Sequence, residues 1–146
     1  MMRRTGLMRR FGAILYDSLL VLALLFLATI PFIAIRGGEP VGASDNLAYQ
    51  FTLACVIYVF FTGFWSHTGQ TLGMKTWGLR VETAAGRVPS FSAATVRFLA
   101  AIVSWLPLGL GFLWQVWDSE QKTWHDRLSK TQLVYYPKRK ESNESD

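Results

Sequence analysis

The stretch RRFGAILYDSLLVLALLFLATIPFIAI, Arg9 to Ile35, decides the fold. From Phe11 to Ile35 its only charge is Asp17, and the run is long enough to cross a hydrocarbon core of about 30 Å. A second run, LAYQFTLACVIYVFFTGFW (Leu47 to Trp65), carries no charge. A third, FLAAIVSWLPLGLGFLWQVW (Phe98 to Trp117), also has none, but Pro107, Gly109 and Gly111 interrupt it. The expected fold is an all-α integral membrane protein. It has two full transmembrane helices, a Pro/Gly-broken third membrane segment, and a small cytoplasmic β element. The third segment reads either as a re-entrant hairpin or as one kinked span, because proline removes a backbone donor and glycine permits a sharp turn.

The 146 residues make one small domain, residues 1–137, followed by a polar tail, 138–146, expected to be disordered. Hydrophobic residues make up 51% and charged residues 17%, which places the chain with membrane proteins. Paired arginines before an apolar run resemble an export signal, but the run is too long for one, so it reads as an uncleaved first span. The net charge of +5 could signal nucleic acid. The distribution points to the membrane instead, and no nucleic-acid partner is expected. Arg3, Arg4, Arg9 and Arg10 precede the first span. Lys75, Arg80, Arg87 and Arg97 stand against Glu82 in the segment after the second, while the loop between the spans holds one base and two acids. The positive-inside rule then puts the N-terminus in the cytoplasm of a bacterial inner membrane. A re-entrant third segment brings the C-terminus back to that side.

Between the second and third apolar runs, LRVET and GRVPS flank Ala-Ala-Gly and predict a hairpin turning at Gly86. TQLVYY, Thr131 to Tyr136, is expected to add a third strand. Ser90 or Ser92 can cap a helix running from Phe91 toward Trp105. Trp65, Trp105, Trp114 and Trp117 fall near span ends and read as interfacial anchors. Cys55 stands alone in the second span, so no intrachain disulfide can form.

Asp17 raises the functional question, since an intramembrane acid needs a partner. Arg10 lies seven residues back, two turns and nearly the same face, though about 10 Å away along the axis. A cation from another element, such as Arg127, is an equal candidate. The segment WDSEQKTWHDRLSKT (Trp117 to Thr131) gathers Asp118, His125, Asp126 and Arg127 as the chain leaves the third membrane segment. Within it HDRLS reads as a short helix or turn on the membrane face, and Asp126 can cap it or reach Arg10.

Three motifs, RRFGAILYD (Arg9 to Asp17), GQTLGMKTWGLRV (Gly69 to Val81) and WHDRLSKT (Trp124 to Thr131), resemble the RDD family of small membrane proteins over about residues 9 to 136. The resemblance implies that Arg10 and Asp17 are the arginine and first aspartate of the family name. It assigns the second aspartate to Asp126, with Asp118 nearby. It also implies a membrane protein related to some cation/proton antiporters. The resulting expectation is an Arg10, Asp17 and Asp126 network, with Asp118, His125, Arg127 and Lys75 as secondary candidates. That network either locks the first helix to the cytoplasmic cap or serves cation, proton or small-solute transport in an oligomer. The alternative function is a non-transporting partner that stabilises another membrane protein.

GQTLGMKT does not fit a phosphate loop, because Met74 separates Gly73 from Lys75. It reads as a glycine-rich turn with Lys75 toward lipid headgroups. His67 and His125 are too few for a metal site, and no nucleophile–base pattern is legible. No enzyme activity, cofactor or metal is therefore expected.

Overall fold

The computed structural model describes residues 5–42, 46–120 and 122–137. The expected polar tail, 138–146, lies outside them. Two helices are long and apolar enough to cross a membrane: α1 (Leu7–Ile35) and α2 (Leu47–His67). At 1.5 Å per residue they run about 44 and 32 Å. α2 starts at Asn46, whose side chain accepts from the Tyr49 amide.

The glycine-rich stretch after α2 is not a simple turn. Thr71 caps a short helix, α3 (Leu72–Trp77), by accepting from the Met74 amide, and Gly78 ends it with a positive φ. Strand β1 (Leu79–Thr83) follows. Ser90 then caps α4 (Phe91–Trp105), as its position predicts. At about 22 Å, α4 is shorter than a hydrocarbon core. The break after it is built by Leu108 and Gly109, both at positive φ. The chain turns there by 108° into α5 (Leu110–Leu113), which continues as a 3₁₀ turn to Val116. Gly111 lets α5 lie against α4, since a Cβ there would come within 2.8 Å of the Ser104 Cα. Helix α6 (Trp124–Leu128) and strand β2 (Thr131–Tyr135) complete the described chain.

The sheet has two strands, not the three expected. β1 and β2 pair antiparallel, with Leu79 opposite Tyr135 and Thr83 opposite Thr131. The chain does turn at Gly86, whose amide donates to the Thr83 carbonyl at 2.9 Å. GRVPS then forms no strand: Pro89 has no N–H to give, and Ser90 already begins α4. The free edge of β1 is satisfied by loop groups. The Val81 amide donates to the Gly69 carbonyl at 2.7 Å, and the Gln70 side chain donates to the Leu79 carbonyl at 2.8 Å.

The sheet, α3 and α6 gather at one end of the helices, where α1 begins, α2 ends and α4 begins. Val81, Ala94 and Trp65 form the core there, with Phe61, Met74, Phe98 and Leu133 packed around them. Trp65 is thus a core residue, not an interfacial anchor, because β1 and α4 close over it. Trp105, Trp114 and Trp117 stay exposed. The Thr5 hydroxyl donates to the Leu133 carbonyl at 3.5 Å, so both ends of the described chain meet in this cap.

Candidate functional site

One face of α1 buries Arg10, Ala13, Asp17 and Val21. Its two charged residues lead to separate polar clusters.

Asp126 centres the first cluster. Thr123 caps α6 and receives the Asp126 amide, while the Asp126 carboxylate accepts from the Thr123 amide at 3.0 Å; together these form a capping box. The same carboxylate accepts from Arg10 Nη1 at 3.1 Å and from Arg97 Nη1. Arg97 Nη1 also donates to the Thr131 hydroxyl at 2.9 Å, and Arg10 donates to the Thr5 hydroxyl through Nε and Nη2. One carboxylate therefore joins α1, α4 and α6. Asp126 is fully buried, Arg97 is 2% exposed and Arg10 4%, so water screens none of these charges. Burial pushes the Asp126 carboxyl upward, but the Arg97 charge, the neighbouring His125 and Arg10, and the Thr123 amide outweigh it. They hold the group well below the usual carboxylate range. His125 shows the opposite balance. Its burial, reinforced by the Arg97 and Arg10 charges against the attraction of Asp126, pushes it down to about 3, so it is neutral at pH 7.

Asp17 stands apart. Its Oδ2 accepts from the Thr71 hydroxyl and its Oδ1 from the Gly73 amide at 2.8 Å. Among the described residues no cation forms an ion pair with it. The expectation that Arg10 or Arg127 neutralises Asp17 is corrected: donors at the start of α3 satisfy both oxygens. Gly73 permits the close approach, since a Cβ there would collide with the Ala13 carbonyl. The Arg10, Asp17 and Asp126 network is thus two locks, one holding α1 to α6 and one holding α1 to α3.

The secondary candidates divide similarly. His125 lies beside Asp126. Asp118 pairs with Arg127, whose side chain is half exposed, and accepts from the Lys122 amide at 2.9 Å, away from the buried cluster. Lys75 is exposed on α3. Sequence reasoning missed Arg97, which it counted as a charge of the second loop. It is the only charged residue in α4, the same kind of signal that marked Asp17 within the run from Phe11 to Ile35.

Both clusters border one cavity of about 590 Å³ between α1, α2, α4, α5 and the cap. Arg10, Asp17, Arg97 and His125 lie in its wall with Phe61, Phe98 and Phe112. The rest of the lining is mostly apolar.

The RDD family model matches residues 4–130. The chain belongs to the RDD family. The match takes in Arg10, Asp17, Asp126 and also Arg97. No curated protein and no solved structure matches the chain.

Proposed function

We propose that this RDD protein is a multi-pass protein of a bacterial inner membrane. Its working site is the 590 Å³ cavity, where it binds a small solute as part of transport by an oligomer. The observation that carries this reading is the cavity itself. Its size falls within the range of about 300–1,000 Å³ usual for small-molecule sites, and it combines an apolar wall with a few polar groups. The Arg10–Asp126–Arg97 cluster serves as a lock that fixes the inner end of the cavity. Two spans and one hairpin around one cavity leave little room for a second access route, which is why further copies are needed for transport.

Both chain ends face the cytoplasm in this reading. Arg9, Lys75, Arg80 and Arg87 all belong to the cap end, which supports that orientation under the positive-inside rule. The short α4 with its 108° turn supports a re-entrant hairpin, covered by protein where it would otherwise expose backbone. A second reading, cation or proton coupling, draws on Asp17, an acid in the same cavity wall.

The test is native mass spectrometry of the purified chain released from detergent. A small molecule retained by the wild type and lost in Ile102→Trp, which blocks the cavity at an exposed wall residue, supports the cavity reading. Retention unchanged in the variant, or no retained molecule, overturns it. Proton movement driven by a sodium or potassium gradient in proteoliposomes, and abolished by Asp17→Asn, favours the second reading. Solute binding without flux leaves the non-transporting partner.

A further inference from the structure

The cavity has a polar inner end and an apolar mouth. At the inner end, the guanidinium carbon of Arg97 lies 5.2 Å from the centre of the Trp65 ring. Trp65 Nε1 and Arg97 Nε are both buried and have no hydrogen-bond acceptor. A buried donor left unmade is costly, and here two stand together in residues that line one cavity. Indole and guanidinium nitrogens donate only, so an incoming group must supply acceptor oxygen. Charge narrows the choice further. The Arg97 guanidinium is a cation facing the Trp65 ring, whereas Asp17 lies about 10 Å from Arg10 along α1 and is engaged by donors at the start of α3.

The mouth selects for hydrocarbon. α1 and α4 both line the cavity, α1 through Ile14 and Ser18, α4 through Ile102, Trp105 and its C-cap Leu106. Positions 102, 105 and 106 share one helical face. Leu106 is 75% exposed, and Ile102 and Trp105 are each 49% exposed. In a bilayer this apolar mouth meets acyl chains.

We propose that the cavity takes an acyl chain bearing an anionic oxygen headgroup, with the chain between α1 and α4 and the head accepting from Trp65 and Arg97. This rests on the cavity being the binding site. Both donor atoms are buried, so binding requires the Trp65 ring to turn toward the head.

The test titrates the full-length protein in detergent with three probes by native mass spectrometry. Oleate is a free single chain, phosphatidylglycerol is an anionic bilayer lipid, and monoolein is neutral with the same chain as oleate. Oleate or phosphatidylglycerol should bind about tenfold or more tightly than monoolein, the difference one charge-assisted hydrogen bond supplies. Preference between the two anions tells a free acid from a bilayer lipid. Trp65→Phe keeps an aromatic ring and removes the donor, and should lose about tenfold for the anion and less for monoolein, whose neutral oxygens accept a weaker hydrogen bond. Equal binding of monoolein and both anions, or an unaltered anion affinity in a folded Trp65→Phe, overturns the proposal. If Ile102→Trp blocks all probes equally tightly bound in the wild type, the cavity stands and only the anionic head is wrong. If Ile102→Trp changes none of them, the cavity reading itself falls.

Discussion

Replacing Asp126 with Asn tests the lock directly. The change keeps the shape of the side chain and removes the charge shared by Arg10 and Arg97. Breaking a buried ion pair by neutralising one partner costs about 3–5 kcal/mol, because the other charge is left uncompensated. Here two guanidinium groups lose the Asp126 charge, and at 2% and 4% exposure neither can replace it from water. The Asn carbonyl can still accept from the Thr123 amide, so the α6 cap survives in part. The expected loss is therefore in the about 3–5 kcal/mol range, a fall in Tm on the order of 10 °C for a chain of this size. Thermal unfolding in detergent, followed by circular dichroism, measures it. The triple replacement Asp126→Leu, Arg10→Met and Arg97→Met removes all three charges and should recover much of the loss, since apolar side chains no longer need desolvated charges to be paired. A Tm for Asp126→Asn within a degree or two of the wild type would refute the claim that this carboxylate joins α1, α4 and α6.

Three further outcomes are expected. The pKa of His125 is depressed to about 3, so the unfolded chain takes up a proton first: stability is full above about pH 6.5 and declines as pH falls toward 3. Denaturant titrations at pH 7 and 5 should show this decline, and His125→Gln should flatten it over the range where Asp126 has not begun to titrate. Gly73→Ala drives a Cβ into the Ala13 carbonyl and pushes the Gly73 amide off Asp17, which should cost about 1–3 kcal/mol in thermal unfolding. Asp17→Asn and Arg10→Gln should each destabilise, and the double variant should lose their sum within about 0.5 kcal/mol, because Asp17 is held by Thr71 and Gly73 whereas Arg10 is held by Thr5 and Asp126. A large coupling energy would restore a single network.

Several readings held because each rests on local chemistry. The apolar runs mark α1 and α2, since length and absence of charge are properties of the chain alone. Ser90 set the start of α4, because an N-cap is a bond between residues three apart. Gly86 took the positive φ its turn requires. Asp126 meets Arg10, one of the two roles its position offered, while the cap itself is Thr123, with Asp126 closing the capping box.

The partners across the fold were not legible. Arg97 looked like one more loop charge because its value depends on Asp126 and Thr131, 29 and 34 residues away. Asp17 looked unsatisfied without a cation because a hydroxyl and an amide from α3, beyond the whole of α2, leave no mark on the sequence near it. GRVPS had strand texture, but the edge it needed was already filled by Gly69 and Gln70. The sequence by itself determined which segments are apolar, where the helices begin and which family the motifs resemble, because backbone propensity and hydrophobicity act locally. The tertiary structure alone decided which charges are buried together, which aspartate meets which donor, and that both clusters wall one cavity. Those outcomes follow from the packing of α1, α3, α4 and α6 in three dimensions, where desolvation turns a chain's scattered charges into fixed partners.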